Sequence, residues 1–290
     1  YLWILLPNPP TDVINNFQKL CFNFVWKNKQ DRISRETTIK NIQNGGLGIP
    51  SIREFIYSLK LSWIRKLMSG NYKWKSIIEE ICPLIQDLDK YGSSMPLNKY
   101  RLNAFWKDTF QAYKEYSSKV KIFESAELMA ENIFHNDKFK IDRKTILFKN
   151  WLKRGVCQVA DLINLDGNFM SYEQFKETYG VHSNILEFTG CIQAIKEYSR
   201  KTGIHLYGNQ AKNMPTSISS ILGIKKGTQT FYNTLVSDAN QPNCCKKWSK
   251  EIINEINWNT TFHKIKTIRE TKLKWFQLRL VHRIIATNII

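Results

Sequence analysis

The 290-residue chain carries 43 lysines and arginines against 25 aspartates and glutamates, a formal charge of +18 with a pI near 9.6. Such an excess repels itself unless an acidic partner neutralises it; nucleic acid is the commonest such partner and an anionic membrane the next. With 42% apolar and 13% aromatic residues the composition is globular and can fill one large or two modest cores, while the lack of any run of 18 or more apolar residues excludes a spanning helix. Tyr1 to Leu6 is cut off by Pro7, Pro9 and Pro10 and has neither the basic region nor the cleavage site of a signal peptide. With no initiator Met, the chain is expected to begin inside a larger protein. Cysteines 21, 82, 157, 191, 244 and 245 form no Cys-x-x-Cys pair and no regular framework, which points to a reducing compartment and structural thiols rather than a metal site.

Thr11 and Asp12, after Pro9-Pro10, open a helix on which Val13, Phe17, Leu20 and Phe24 share a face, with Ile14, Cys21 and Val25 beside them: a wide apolar stripe meant for a core. After the polar connector Asn28 to Asn44, the run Gly45-Gly46-Leu47-Gly48-Ile49-Pro50 sets three glycines in four positions. The backbone there can take positive φ and pass close to another strand of protein or to a phosphate, a packing turn being the commoner use. Ser51-Ile52-Arg53-Glu54 has the spacing of a capping box, so a helix begins at about Ile52. Ile52, Ile56, Leu59, Trp63 and Leu67 make its apolar face, and Arg53 and Lys60 lie seven apart on another.

Tyr72-Lys73-Trp74-Lys75 interleaves rings with cations, a pattern that stacks on bases while pairing phosphates, or equally one of core aromatics with solvated lysines. Ile77 to Leu88 offers a short helix interrupted at Pro83, Tyr91 to Pro96 a loop, and Leu97 to Tyr116 a helix with Trp106, Phe110 and Tyr113 on one side. Lys119 to Ile122 and Phe139 to Ile141 alternate as short strands, and Lys138, Lys140, Arg143 and Lys144 add basic surface. Ile146-Leu147-Phe148 leads through Trp151, a core anchor, to Gly155 at a helix C′ position. Asp166-Gly167 is a turn, Ser171 to Gln174 a second capping-box spacing, and Ile185, Phe188, Ile192 and Ile195 a helix ending near Gly203.

Thr202 to Gly227, rich in Gly, Ser, Thr and Asn and containing Pro215 and Lys225-Lys226, has the composition of a linker or surface loop. Short helices follow around Phe231 to Val236 and Trp248 to Ile256. A last element, starting after Trp258-Asn259-Thr260 and running toward the end, has an apolar stripe of Leu273, Phe276, Leu280 and Ile284. Its separate face of Lys272, Arg279 and Arg283 could lie along a phosphate backbone, although such runs are as often simply solvated.

Three clusters carry a resemblance. The run Phe24-x-Trp26, Arg32-Ile33-Ser34, Gly45-Gly46-Leu47-Gly48-Ile49-Pro50 and Leu59-x-x-x-Trp63-Ile64 resembles the segment just downstream of the polymerase palm in LINE-type non-LTR retrotransposon reverse transcriptases. Asn150-Trp151-x-x-x-Gly155-Val156, Asp161-Leu162, Asp166-Gly167 and Ser171-Tyr172-x-x-Phe175 are similar to the carboxy-terminal segment of the same proteins. Leu273-x-Trp275-x-x-x-Arg279-x-x-His282-Arg283-x-x-x-Thr287-Asn288 resembles their last helix before a cysteine-histidine zinc knuckle.

The resemblance implies a mainly α fragment truncated at both ends: a thumb-like helical region over 1–70, a linker and central helical region with a few short strands over 71–205, and a basic carboxy-terminal helical region over 206–290. It implies a parent RNA-directed DNA polymerase in a cytoplasmic and nuclear ribonucleoprotein. This part would bind template RNA and primer DNA during target-primed reverse transcription, with the rest of the polyprotein as partner and no membrane. Arg53, Lys60, Lys73, Lys272, Arg279 and Arg283 are the expected nucleic-acid contacts.

No catalytic set accompanies them. There is no Asp-Asp dipeptide to hold two metal ions, no phosphate loop, no nucleophile elbow and no His-Glu-x-x-His helix. Gly45-Gly46-x-Gly48 matches a dinucleotide fingerprint only weakly, and histidines 135, 182, 205, 263 and 282 have no partner at ligand spacing. The expectation is a chain that is non-catalytic by itself and without a cofactor, magnesium belonging to the palm and zinc to the knuckle. Two alternatives remain: a helical scaffold that binds proteins through its amphipathic faces, and a stand-alone basic RNA-binding protein.

Overall fold

The computed structural model describes residues 5–83, 85, 88, 100–206, 216–224, 227–237, 241–252 and 256–285. Among these the fold is mainly α, with fourteen α-helices and one two-stranded sheet. The expected loop Tyr91 to Pro96 lies outside the described residues, as do Leu97, Pro215 and Lys225-Lys226.

The chain forms two compact units: a larger one of residues 1–8 and 57–235, and a smaller one of residues 9–56 and 236–290. These units cut across the consecutive segments 1–70, 71–205 and 206–290, since most of the first and most of the last share the smaller unit.

The smaller unit holds α1 (Thr11–Trp26), α2 (Arg35–Ile39) and the first turn of α3 (Ile52–Ser69). α3 starts where the capping signal places it. Ser51 donates its hydroxyl to the Glu54 carboxylate, and the N–H of Ile52 is taken by Gln18 Oε1 at 2.9 Å. Gln18 Nε2 also donates to the Pro50 carbonyl at 3.1 Å, so one glutamine of α1 brackets the start of α3.

The larger unit contains the rest of α3, then α4 (Lys73–Ile81), α5 (Ala104–Lys119), α6 (Ser125–Met129), β1 (Lys140–Ile141), β2 (Lys144–Thr145), α7 (Lys149–Lys153), α8 (Tyr172–Tyr179), α9 (Ile185–Thr202), α10 (Thr216–Gly223) and α11 (Gly227–Val236). Its first core joins Leu61, Ile64 and Leu67 of α3 to Ile78, Trp106, Phe110, Tyr113 and Tyr116, and to Ile218, Ile221 and Phe231. Trp63 lies beside it, with ring centroids of Trp74 at 5.6 Å and Phe105 at 5.5 Å. The presence of α10 in this core corrects the reading of Thr202 to Gly227 as a linker. Ile218 and Ile221 are fully buried, and Tyr116 meets the Ser220 hydroxyl at 3.0 Å, so two apolar residues outweigh a loop-like composition.

The second core, from Ile122 to Ile204, is built around Trp151, which is 0% exposed and has ring centroids of Phe175 at 4.6 Å and Phe148 at 4.9 Å. Ser171 and Gln174 form the reciprocal capping box at the start of α8, and Gly155, Gly180 and Gly203 take left-handed conformations after α7, α8 and α9. Phe139-Lys140-Ile141 supplies a strand, β1, paired antiparallel with β2 (Lys140 with Thr145, Ile141 with Lys144). Lys119 to Ile122 does not: Lys119 closes α5, and Val120 and Ile122 are buried in the two cores as irregular chain.

Lys60, expected on an open basic face, is 0% exposed; its ammonium donates to the Leu6 carbonyl and lies 4.0 Å over the Phe105 ring. A side chain held there meets no phosphate, and the helical spacing that pairs it with Arg53 could not show this. Burial lowers its pKa from 10.5 to about 8, against an opposing pull from the Asp108 carboxylate. Below pH 8 the amine is charged in folded and unfolded chains alike, and the fold bears the full desolvation cost; between pH 8 and 10.5 only the folded chain sheds the proton. Wild-type stability should therefore climb over that interval relative to Lys60→Met, by at most about 1.4 kcal/mol per pH unit. Urea midpoints of the two proteins across the interval check this, and parallel curves would contradict it.

Candidate nucleic-acid interface

By sequence the smaller unit holds 17 lysines and arginines against 8 acidic residues in its 103 positions, a net +9; the remaining 187 positions carry the other +9. Charge per residue is thus almost twice as high in the smaller unit. The carboxy-terminal part supplies most of it through α12 (Asn243–Trp248), α13 (Trp258–Thr267) and α14 (Thr271–Val281).

Two buried clusters hold this unit together. Phe22 and Trp26 of α1 pack with Ile33 and Ile49, while Cys244, Cys245, Phe262, Ile265 and Leu278 form the other; Leu47 and Trp275 touch both. Trp26 and Trp275 meet at a centroid distance of 6.3 Å. The six cysteines of the chain are all free thiols, and among the described residues no group of three or more His, Cys, Asp or Glu side chains is arranged to hold a metal ion.

The glycine turn lies between these clusters, and its close approach is to protein. A Cβ on Gly45 would fall 2.6 Å from Phe262 Cζ and 2.7 Å from Pro242 Cγ, and Gly45 takes φ +76°. The amides of Gly45, Gly46, Leu47, Gly48 and Ile49 donate to the carbonyls of Ile42, Asn41, Thr38, Lys40 and Thr38 at 2.9–3.2 Å. With those donors already engaged, the turn is no phosphate cradle.

The Gly45 carbonyl accepts from His282 Nε2 at 2.7 Å. Since a carbonyl only accepts, Nε2 carries the hydrogen, and burial lowers the pKa of the ring, favouring the neutral imidazole. Arg32 donates to the Ile284 carbonyl at 3.3 Å. Trp26, Arg32, Gly45, Trp275 and His282, all drawn from the first and last of the resembling clusters, therefore converge in one small unit. Their role there is packing and hydrogen bonding.

Both apolar stripes read for this unit are misphased at their central residues. Phe17, Leu20 and Phe24 are 46%, 61% and 86% exposed, and Leu273, Phe276 and Leu280 are 44%, 49% and 45% exposed. Of the residues read for these stripes, Cys21, Val25 and Ile284 do pack against the core; the other contacts come from Phe22 and Trp26, and from Trp275, Leu278 and Val281. Each helix is apolar over more than one arc, and distant partners chose which arc to cover.

The last element is also broken: α13 ends at Thr267, α14 spans Thr271–Val281, and Arg283 follows at φ +58°. Arg283 is thus off the helix that carries Lys272 and Arg279. It ion-pairs with Glu251 and lies 5.1 Å over the Trp248 ring, whose Nε1 donates to the Val281 carbonyl at 2.7 Å. Arg283 is a structural clamp rather than a free cation.

Lys272 and Arg279 keep the expected seven-residue spacing on α14 and make no ion pair with a described residue; Phe276 lies between them on the helix surface, one turn from each. Arg53 is exposed in the same unit, 3.3 Å from Glu54. Lys73 belongs to the larger unit, exposed at the first position of α4, where neighbouring Trp74 packs against the core and Tyr72 stacks on it at 5.5 Å. The smaller unit also exposes Lys246, Lys247, Lys264, Lys266 and Arg269, which reading by helical face passed over. Charge density along residues 246–283 was the signal that could have found them.

No protein-family model, no curated protein and no solved structure matches the chain.

Proposed function

We propose that the chain binds nucleic acid, as the thumb-like and carboxy-terminal fragment of a LINE-type RNA-directed DNA polymerase that grips template RNA and primer DNA. The observation that carries the reading is the outward face of α14, where Lys272 and Arg279, without ion pairs among the described residues, flank the half-exposed ring of Phe276. Cations spaced along a helix pair with successive phosphates, and an exposed ring between them offers a base a stacking surface; together these suit a single strand. The unit's net +9 supports the reading by drawing a polyanion to this face.

Neutralising both cations, Lys272→Gln with Arg279→Gln, should make the slope of log K against log salt for a single-stranded RNA shallower by about 1.4, or roughly 0.7 per lost phosphate contact. Phe276→Ala should weaken binding by about 1–3 kcal/mol and leave that slope alone. An unchanged slope in the double variant would sink the proposal.

The exposed stripes Phe17, Leu20, Phe24 and Leu273, Phe276, Leu280 favour a second reading, a scaffold for protein helices. A protein complex insensitive to salt, with no RNA retained at low salt, would decide for it.

A further inference from the structure

The larger unit carries a basic surface of different chemistry. Residues 142–154 contain five cations, Arg143, Lys144, Lys149, Lys153 and Arg154, and a single carboxylate, Asp142. All five cations are exposed, and none makes an ion pair with a described residue. Arg143 and Lys144 form the tip and return of the β1–β2 hairpin; Lys149, Lys153 and Arg154 lie on and just after α7, three residues farther along.

The scaffold under them is firm. Phe139 is 0% exposed and meets Tyr198 of α9 at 5.6 Å. Ile141 lies so close to α9 that a Cβ on Gly190 would come within 3.1 Å of its Cδ1. Lys138 pairs with the buried Glu131 at 3.0 Å, the His135 amide donates to the Ile146 carbonyl at 2.8 Å, and Trp151 anchors α7. At the tip both central residues have positive φ, +50° at Asp142 and +66° at Arg143. That conformation normally selects Asn-Gly, so an arginine is held there against a steric preference.

What the surface lacks is as informative. Its rings are turned inward: Phe139 and Trp151 are buried and Phe148 is half-buried, so no exposed aromatic ring stands among residues 138–155. Single strands are held by stacking as well as by charge, whereas a duplex keeps its bases stacked on one another and offers phosphates at fixed spacing. A two-stranded ribbon fits the wide major groove of B-form DNA and not the deep, narrow one of A-form RNA.

We infer that the β1–β2 hairpin and α7 form a second nucleic-acid contact, which takes double-stranded DNA through its phosphates with the hairpin tip at the major groove. The inference rests on the reading of the chain as a nucleic-acid binder, but it assigns a different surface and a different form of the ligand. The hairpin sets the direction of approach, and α7 extends the row of cations along the backbone.

The test uses the full chain with a mixed-sequence DNA duplex, one of its strands, and an RNA duplex of the same sequence, each titrated over a range of salt. The variant combines Arg143→Gly, Lys144→Thr, Lys149→Gln and Lys153→Gln. Glycine suits the left-handed position, and the other three side chains are exposed, so circular dichroism and the thermal midpoint should hold. A companion with Lys144→Arg, Lys149→Arg and Lys153→Arg keeps the charge and should bind as wild type does.

On the DNA duplex the neutral variant should show a salt slope shallower by about three to four and an affinity at least about a hundredfold lower at moderate salt, with binding to the single strand intact. Unchanged duplex binding would overturn the inference while leaving the α14 reading standing. An equal loss on the single strand, or on the RNA duplex, would overturn the assignment to B-form DNA. A wild-type chain that binds none of the three would overturn this inference, and failure to bind single-stranded RNA as well would overturn the α14 reading.

Discussion

Trp151→Ala should destabilise the larger unit by about 3–5 kcal/mol, the range for deleting a large aromatic from a closed core. The indole is fully buried, with ring centroids of Phe175, Phe148, Phe134 and Phe188 at 4.6, 4.9, 6.2 and 6.2 Å. These rings belong to separate stretches of chain, so collapse around the cavity would have to move several elements together. The indole nitrogen has no hydrogen-bond partner among the described residues. Trp151→Phe therefore sacrifices volume but no polar contact, and should cost less than half as much. Urea denaturation of the three proteins, followed by far-UV circular dichroism, checks the ranking; a cost below about 1 kcal/mol for Trp151→Ala would show that this ring cluster is not a closed core.

The second large effect belongs to the glycine turn, where three alanine substitutions separate backbone strain from crowding. Gly48 has φ +70° with nothing within 4 Å of a built Cβ, so Gly48→Ala should bring only left-handed strain, about 1–2 kcal/mol. Gly45→Ala adds the collision with Phe262 and Pro242 to the same strain, for about 3–5 kcal/mol in all. Gly46→Ala would set its methyl 1.8 Å from the Lys40 carbonyl oxygen, and backbone has nowhere to retreat without breaking the bonds from Leu47 and Ile49 to Thr38. Hydrogen exchange at the Leu47 and Ile49 amides reads the damage directly. Faster exchange in the Gly45 and Gly46 variants than in the Gly48 variant is expected, and equal rates in all three would refute the close packing of the turn.

The sequence made legible whatever depends on a few neighbouring residues. The start of α3 at Ile52, the Ser171 and Gln174 box before α8, the left-handed glycines at 155 and 203 and the core position of Trp151 all follow from local chemistry. What depends on remote partners was hidden. Phe24 and Trp26 are equally apolar, yet Trp26 is buried and Phe24 is 86% exposed, because Trp275, some 250 residues away in sequence, packs on one side of α1 only. Lys60 reads as a surface cation until the amino-terminal carbonyl of Leu6 and the Phe105 ring close over it.

The candidate interface divides along the same line. Lys272 and Arg279 were legible because seven-residue spacing survives on any intact helix. Arg283 was not, because α14 stops at Val281, where the His282 ring holds the Gly45 carbonyl and Arg283 turns to Glu251 and Trp248. The basic hairpin was visible as charge in the sequence, but its rigidity and its lack of exposed rings come from the packing of Phe139, Ile141 and Trp151.

The discontinuous make-up of the smaller unit has a consequence for biosynthesis. Residues 9–56 leave the ribosome well before residues 236–290, with the whole of 57–235 translated in between. During that interval the larger unit, nearly continuous in sequence, can fold by itself, whereas Trp26, Leu47 and the Gly45 carbonyl wait for Trp275 and His282. An apolar segment that includes Phe22, Trp26, Ile33 and Ile49 is thus left without its partner while 57–235 is translated, a state that invites chaperones or aggregation. Closing the unit is a highly non-local step, and a nascent chain arrested before Thr271–Val281 should leave the apolar residues of 9–56 uncovered after the larger unit has folded.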